Sequence, residues 1–497
     1  MTRAMARTPA PGIRHRRGRR TRLAWVALGA GLIILGVSAS ARAADRIYWA
    51  NLNGGVPAVS FANLDGSGGG ADLSSAEGGS AASLALYPSG GKVFWGTGSA
   101  ISVANLDGSG GASNLNVTGA PVVSPRVAVD PGAGRIYWSN SNMNQGIYFA
   151  NVDGTGGEQL NTAGATATNP IGVAVDPAAG RIYWANPAPI NKISFANLNG
   201  SGGGDINTMG ATVVNPQGVA IDPTAGRIYW ASVFGQKISF ANLDGSGGGD
   251  LNTTGATVSN PAGVAVDAAA GKIYWANVIA GKISFARLDN SGGGDLNTMG
   301  ATTEFPNYAA LLKAPTGASA PQITESGPVL NCSRGTWSTD LVASFLYRAP
   351  SNFAYRWSQE GAEIGAANGS SLTPPAAGHY RCHVTASNPA GSAAQTSDPF
   401  AYFRIGKARR NPRRGTAKLP LTLPDPGTLT VAAAGAKVSR TGSVPAGTVK
   451  LLIRARGRKL QKLKRTGRSK LRLSIAYSPD GFPSSTQTAK VRLRKLP

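Results

Sequence analysis

Short apolar runs separated by turn residues recur along residues 45–314. The clearest copies read PIGVAVDPAAGRIYW (170–184), PQGVAIDPTAGRIYW (216–230) and PAGVAVDAAAGKIYW (261–275). Each apolar run is short and is bounded by Asp, Pro and Gly, which favours strands joined by tight turns. Weaker copies occupy 125–138 and 82–95, and a sixth copy, DRIYW, begins at Asp45 without its first half. The pattern therefore indicates six repeats of one unit.

Each repeat is predicted to form four antiparallel strands. The tryptophans of successive repeats are separated by 46, 43, 46, 46 and 45 residues, and this spacing is the length of one propeller blade. In the fifth copy we expect strands at 218–221, 227–230, 237–243 and around 251–258. Residues 306–313 (PNYAALLK) match the first strand that the first repeat lacks. A strand supplied from there closes a ring without exposed edges, so we expect an all-β fold with a six-bladed β-propeller over residues 44–314.

The repeats resemble the YWTD propeller, the class B repeat of low-density-lipoprotein receptors. IYWAN and IYWSN stand where that family has YWTD, and ANLDGSG is similar to its LDGS segment. Asparagine occupies the position of the family's Asp, at Asn51, Asn140, Asn186 and Asn277. No Cys-rich module of the epidermal-growth-factor type follows, so the resemblance implies the fold and not lipoprotein binding.

Residues 321–403 have the pattern of a second domain. Cys332, Trp357 and Cys382 are spaced 25 and 25 residues apart, and Tyr380 precedes the second Cys by two positions. The segment resembles immunoglobulin-like repeats of bacterial surface proteins, which implies a β-sandwich with a Cys332–Cys382 disulfide packed on Trp357. His379 and His383 are expected to face solvent, and the alternative is a metal site.

The charge of the chain is concentrated at its two ends. The net charge is +25, of which nine Arg lie before residue 44 and +22 lies in residues 404–497, where only Asp425 and Asp480 are acidic. We expect a basic linker at 404–416 and a basic β-sandwich at 417–497, because apolar and basic residues alternate there. The latter resembles basic C-terminal sandwiches of actinobacterial exported proteins.

An anionic polymer of the cell envelope is the expected partner of this basic domain. Aromatic residues are few and no nucleic-acid recognition motif is present, so nucleic acid is not expected. The alternative is that the positive charge serves only solubility.

The N-terminal 43 residues are predicted to be an export signal. A basic segment precedes the apolar run Leu23–Val37, and Ala41-Arg42-Ala43 resembles a cleavage site. Either general secretion or twin-arginine export fits this pattern, and an uncleaved anchor is the alternative. We expect a secreted or cell-surface protein without a later transmembrane span.

Catalysis is not expected in the propeller. Residues 44–314 contain neither His nor Cys, which are the commonest bases, nucleophiles and transition-metal ligands. The repeated Asp130, Asp176, Asp222 and Asp267 are expected to cap their own turns, and a divalent-cation site is the alternative. No cofactor is expected. The alternative function is a metal-dependent lactonase, lyase or glycosidase acting on extracellular carbohydrate.

Ligand binding is expected on the face where the first strands begin, because the loops there differ between copies. We expect this face to bind an extracellular glycan or a protein, although neutral drift of the loops would give the same variation. The candidate ligand-binding residues are Met143, Asn169, Asn215, Phe234, Asn260, Ile279 and Glu304.

Overall fold

Six four-stranded antiparallel sheets surround a central channel. This computed structural model describes residues 44–73, 76, 80–141, 146–439 and 441–496. Met143 and the expected export signal lie outside the described residues. The strands of each blade follow, from the channel outwards. Blade 1 consists of Pro306–Leu312, Arg46–Asn51, Val59–Asn63 and Ala71–Asp72, blade 2 of Ser83–Tyr87, Lys92–Gly96, Ile101–Asn105 and Ser113–Asn114, and blade 3 of Pro125–Asp130, Arg135–Asn140, Gly146–Asn151 and Glu158–Gln159. Blade 4 consists of Ile171–Asp176, Arg181–Asn186, Lys192–Asn197 and Gly203–Asp205, blade 5 of Pro216–Asp222, Arg227–Ser232, Lys237–Asn242 and Gly248–Asp250, and blade 6 of Pro261–Asp267, Lys272–Asn277, Lys282–Arg287 and Gly293–Asp295.

The ring closes as the sequence predicts. Strand Pro306–Leu312 pairs antiparallel with Arg46–Asn51, so the inner strand of blade 1 comes from the far end of the propeller. Each inner strand contacts the next one around the channel, including that of blade 6 with that of blade 1. The six-bladed propeller is therefore confirmed. We call the face where inner strands begin the top face, and the opposite face the bottom face.

The second strand of each blade carries most of the core. In blade 4, Ile182, Tyr183 and Trp184 are all buried, and Trp184 Nε1 donates to the carbonyl oxygen of Thr166 in the preceding connection at 2.8 Å. Neighbouring blades cover this strand on both sides, so its residues are apolar without alternation. The same burial is found at the tryptophan of every blade.

The fourth strands differ from the prediction. In blade 5 the strand is Gly248–Asp250, and residues 251–258 belong to the connection to blade 6. Glycine is required at Gly248, since a β-carbon there would overlap the carbonyl oxygen of Phe240 on the third strand. Residues 248–250, which lie outside the four strands expected from the sequence, are thus part of the sheet.

The middle domain, residues 317–402, is a β-sandwich joined by a disulfide. Its disulfide joins Cys332 and Cys382, as expected, and Trp357 is fully buried in the same core. Tyr380 Oη donates to the carbonyl oxygen of Ala376 at 2.9 Å. Its strands are Gly317–Ser319, Ile323–Ser326, Val329–Cys332, Thr336–Trp337, Leu346–Tyr347, Asn352–Gln359, Ala362–Glu363, Ser371–Leu372, Gly378–Asn388, Gly391–Thr396 and Phe400–Tyr402.

One segment of the middle domain enters the bottom of the propeller channel. We call residues 341–347 the plug. Its 3-10 turn Val342–Ser344 contacts inner strands of blades 3 to 6, and Leu346–Tyr347 pairs parallel with Leu311 and Leu312 of blade 1. Asp340 accepts hydrogen bonds from the backbone N–H groups of Arg348 and Ala349, both at 2.7 Å, at the base of the plug. The bottom of the channel is therefore filled by the chain itself.

The C-terminal domain consists of two sheets and a short helix. Residues 404–416, expected to form a linker, contain two short strands that pair with Thr416–Leu423 at one edge of a sheet. The strands are Arg404–Ile405, Arg409–Asn411, Thr416–Leu423, Gly427–Ala432, Ala436–Val438, Gly442–Val444, Gly447–Ala455, Arg468–Pro479 and Ser485–Arg494, and helix α1 is Gly457–Thr466. Within the described ranges, no helix has the length and apolarity needed to cross a membrane.

Candidate ligand-binding site at the mouth of the channel

A cavity of about 420 Å³ opens on the top face over the starts of the inner strands of blades 2 to 5. Its volume lies in the range of small-ligand sites. Most of its wall consists of hydroxyl, amide and backbone groups. The lining residues are Ser80, Ala82, Thr97, Gly98, Ser124, Arg126, Ser141, Asn169, Ile171, Pro187, Ala188, Asn215 and Gln217.

Among the described residues that line this wall, Arg126 is the only one with an ionisable side chain. It is half-buried, and its Nη1 donates weakly to the carbonyl oxygens of Ser124 at 3.2 Å and Pro125 at 3.4 Å. Its Nε is buried and has no hydrogen-bond partner among the described residues. No described carboxylate forms an ion pair with this guanidinium, which favours an anionic group as the ligand, because charge-assisted hydrogen bonds are stronger than neutral ones.

Tyr308 lies in the channel next to Arg126 and is buried. Its ring passes Gly263, Gly218 and Gly172 on the inner strands of blades 6, 5 and 4, and a β-carbon at any of them would collide with it or with neighbouring backbone. Its hydroxyl lies close to the Arg126 side chain but makes no hydrogen bond of good geometry with a described residue. Burial raises the pKa of Tyr308 to about 12, although the nearby Arg126 acts in the opposite direction.

Arg126 and Tyr308 are not among the candidate residues predicted from the sequence. The inner strand of blade 3 reads PRVAVD where blades 4 to 6 read PIGVAVD, PQGVAID and PAGVAVD, and Tyr308 stands at the glycine position in blade 1. These two departures from the repeat are the sequence feature by which both residues could have been predicted as functional. Tyr308 also has a left-handed backbone, with φ of 38°, at a bulge in its strand.

Two of the predicted asparagines, Asn169 and Asn215, line the cavity, and Asn260 does not. The backbones of all three are left-handed, with φ of 59°, 52° and 49°, a conformation that asparagine tolerates well. The Asn215 side chain accepts from the N–H of Ala188 at 3.3 Å, and Asn260 Oδ1 accepts from Gln236 Nε2 at 3.1 Å. Local backbone geometry thus explains the residue type at these positions.

The predicted apolar candidates lie on another part of the top face. Phe234 and Ile279 are 67% and 66% exposed, on loops of blades 5 and 6, and neither lines the cavity. Phe305, at the start of blade 1, is 51% exposed. Glu304 accepts a hydrogen bond from Asn53 Nδ2 at 2.6 Å. We call Phe234, Ile279 and Phe305 the apolar rim.

The repeated carboxylates of the inner strands serve their own turns. Asp130 Oδ1 accepts from the N–H groups of Gly132 and Ala133, at 2.9 and 3.1 Å. Asp176 and Asp222 make the equivalent bonds, and Asp267 accepts from one turn N–H and forms an ion pair with Lys313 at 2.7 Å. The described residues contain no group of three or more His, Cys, Asp or Glu arranged to hold a metal.

A second set of carboxylates, missed in the sequence, links neighbouring blades. Asp205 Oδ1 accepts from Ser194 Oγ and the N–H of Thr166, while Oδ2 accepts from Thr166 Oγ1 and Lys192 Nζ. Asp250 and Asp295 make the same bonds to their serines and threonines. Asp72 does so with Thr302 across the seam of the ring. Burial raises the pKa of Asp205 and of Asp295, but these hydrogen bonds outweigh it and lower each pKa to about 2.

The two histidines of the middle domain do not face solvent freely. His379 Nδ1 lies 3.0 Å from Glu360 Oε2, and its Nε2 lies 2.7 Å from Asp425 Oδ2 of the C-terminal domain. His383 contacts Ser358 Oγ at 3.0 Å and Thr396 Oγ1 at 2.9 Å. The prediction for His379 was wrong because Asp425, 46 residues away in the sequence, approaches it only in the folded chain.

No protein-family model and no curated protein matches the chain. Among solved structures, it is similar to a chain of a nidogen/laminin complex, with 18% identity over 54% of this chain and 98% of that chain and a TM-score of 0.45. It is also similar to a protein described as TolB from Agrobacterium tumefaciens, with 11% identity over 54% of this chain and 98% of that chain and a TM-score of 0.37. For hydrazine synthase of Kuenenia stuttgartiensis, the identity is 14% over 46% of this chain and 70% of that chain, and the TM-score is 0.35. Similarity at this level carries no information on ligands.

Proposed function

We propose that the protein is an exported, non-enzymatic binding protein whose propeller binds an acidic glycan at the mouth of its channel. The observation that carries this proposal is the polar cavity with Arg126 as its one ionisable group. Hydroxyl and amide side chains such as Ser80, Thr97 and Gln217 suit the hydroxyl groups of a sugar, and the guanidinium suits its carboxylate. An acidic side chain of a protein partner would use the same donor.

The plug supports binding from the top face. Because residues 341–347 fill the bottom of the channel, a ligand reaches Arg126 only from above. The export pattern of residues 1–43 and the disulfide support a role outside the cytoplasm, in a secreted or cell-surface protein. We also propose that the propeller is of the YWTD type, that the middle domain is immunoglobulin-like, and that the basic C-terminal domain contacts an anionic polymer of the envelope.

An array of acidic and neutral oligosaccharides, followed by titration with the strongest acidic one, tests the propeller site. We expect Arg126→Gln to weaken binding by roughly 10- to 150-fold, since hydrogen bonds to charged groups contribute about 1.5–3 kcal/mol. Arg126→Lys should retain part of the affinity. The control is Phe234→Ala with Ile279→Ala on the apolar rim, which should bind normally. Loss in the rim variant with full binding by Arg126→Gln would contradict the proposed site.

Hydrolysis or elimination of the bound oligosaccharide by the wild-type protein, abolished by chelation, would contradict the non-enzymatic role. The expected result is an unchanged oligosaccharide after prolonged incubation with added divalent cations, as judged by mass spectrometry.

Retention on isolated envelopes across a salt gradient tests the C-terminal domain. Lys459, Lys462, Lys464 and Arg465 lie on helix α1, and changing all four to Gln in the full chain should reduce retention at low salt. Wild-type retention should fall as salt rises, because exposed charges are screened beyond about 3 Å at 1 M. Equal retention of both proteins at every salt concentration would leave the domain without this function.

A further inference from the structure

The last two strands of the C-terminal domain form a ladder of like charges. Arg468 lies opposite Arg494, Lys470 opposite Arg492, and Arg472 opposite Lys490 in the antiparallel register of Arg468–Pro479 with Ser485–Arg494. All six side chains are exposed. They alternate with buried Leu471, Val491 and Leu493, so they project from the same face of the sheet. We call these six residues the cationic ladder.

This arrangement is unfavourable for the isolated domain. Like charges directly opposite each other on neighbouring strands destabilise a sheet. Among the described residues, no carboxylate forms an ion pair with any member of the ladder. Residues 404–497 contain only Asp425 and Asp480 as acids. No described carboxylate therefore compensates the repulsion, and an external polyanion would relieve it.

The ladder lies along a shallow groove. A cavity of about 510 Å³ is lined by Lys470, Arg472, Lys490 and Arg492 together with Lys459 of helix α1. Residues two apart on one strand are about 6.6 Å apart, and the two rows of cations run side by side. The groove thus offers a repeating series of paired cations, which suits an extended chain with regularly spaced negative charges.

We propose that the cationic ladder binds a linear phosphodiester polymer without bases, of the poly(glycerol phosphate) type. This inference rests on the proposed envelope contact of the C-terminal domain and identifies its surface and ligand chemistry. Four of the six cations are arginines, whose planar forks match the oxygens of a phosphate. Proteins that bind single-stranded nucleic acids combine a positively charged groove with aromatic side chains on which the bases stack. No residue between 468 and 474 or between 486 and 494 is aromatic, which favours a polymer without bases.

Binding of fluorescently labelled poly(glycerol phosphate) to the full chain, followed by anisotropy at several salt concentrations, tests the ladder. The ladder variant carries Lys470→Gln, Arg472→Gln and Lys490→Gln. The control variant carries Lys418→Gln, Lys437→Gln and Lys450→Gln, which removes the same charge from exposed positions of the other sheet.

We expect the ladder variant to bind at least tenfold more weakly and to lower the slope of log K against log salt by about 2, since each phosphate contact on a flexible polyanion contributes about 0.7. The control variant should lose less than threefold. Equal losses of affinity in the two variants would overturn the ladder as a binding site, because net charge alone would then account for binding of the polymer. A single-stranded oligonucleotide of equal charge that competes better than unlabelled polymer would overturn the assignment to a polymer without bases.

A charge-conserving variant and the retention of variants on envelopes distinguish loss of the binding site from misfolding and from failure of the proposed role. The charge-conserving variant Lys470→Arg with Arg472→Lys should bind like wild type, and its melting temperature reports on folding. The variant with Lys459, Lys462, Lys464 and Arg465 changed to Gln separates the two proposals. If it has lost salt-dependent envelope retention while the ladder variant binds the polymer normally, the ladder is wrong and the proposed role of the domain stands. If wild-type retention is indifferent to salt, the proposed role itself fails.

Discussion

The hydroxyl group of Ser344 donates a hydrogen bond of 2.5 Å to the carbonyl oxygen of Ile221. Ser344 belongs to the plug of the middle domain and Ile221 to the inner strand of blade 5, so the bond joins two domains inside the channel. The backbone bond from the N–H of Leu311 to the carbonyl oxygen of Phe345, at 2.8 Å, reinforces it. The plug is therefore packed into the propeller core, while the rest of the middle domain has its own core around the disulfide.

The packing of the plug in the propeller core predicts coupled unfolding of the two domains. Tyr347 is fully buried at the plug, and Tyr347→Ala should cost about 3–5 kcal/mol, the range for truncating a large buried aromatic ring. Scanning calorimetry should show one transition for both domains in the wild type and two separated transitions in the variant. Tyr355→Ala, at a half-buried position of the middle domain, is the control. A variant that melts like the wild type would show that the plug does not couple the domains.

The plug illustrates what the sequence alone could not show. The run LVASFLY at 341–347 has the composition of any core strand, and composition does not tell which core receives it. The blades were predictable because repetition fixes spacing and strand order together. Arg126 and Tyr308 are single departures from that repetition, and their proximity depends on ring closure, which brings residues 182 positions apart into one channel.

The acid stability of the propeller should depend on the carboxylates that link blades. The pKa of Asp205 and of Asp295 is lowered to about 2 in the folded protein, below the unfolded value near 3.9. A depressed pKa means that their contribution is complete above about pH 4 and is lost as the pH falls towards 2. The double variant Asp205→Asn with Asp295→Asn should melt at a lower temperature at pH 6 and should lose less stability between pH 4 and pH 2.

The melting temperature of the propeller transition at each pH measures this effect. Asp480→Asn, a single carboxylate change in the C-terminal domain, is the control and should follow the wild-type curve. If the melting temperatures of the double variant and the wild type fell in parallel between pH 4 and pH 2, these carboxylates would not be the cause of the loss of stability in acid.

The contact between the middle and C-terminal domains should weaken at alkaline pH. Burial lowers the pKa of His379, but the hydrogen bonds that its ring donates to the carboxylates of Glu360 and Asp425 outweigh it, so the net shift is upwards. The ring of Phe482 also packs on this imidazole, with centroids 4.9 Å apart. A raised pKa means that the stabilisation is complete below about pH 6.5 and is lost as the pH rises through the folded value.

Limited proteolysis between the two domains at pH 6 and pH 9 should detect this change, with faster cleavage at pH 9. His379→Gln removes the charge and should be cleaved at one rate at both pH values. His383→Gln, on the same strand, is the control and should keep the wild-type dependence. A rate that is independent of pH in the wild type would exclude His379 as the cause.

Arg126 should contribute to binding at the expense of stability. Part of its guanidinium is buried without a hydrogen-bond partner within the described chain, and an unsatisfied buried polar group costs about 1–3 kcal/mol. Arg126→Met keeps the aliphatic stem and removes these donors, so the variant should be as stable as the wild type or more stable, while binding of the acidic oligosaccharide is lost. Arg348 in the middle domain also has a buried Nε without a partner. Arg348→Met should therefore give a similar change in melting temperature with normal binding. If Arg126→Met instead destabilises the propeller by several degrees, the arginine is a structural residue of the channel, and loss of binding in that variant would no longer point to direct contact with the ligand.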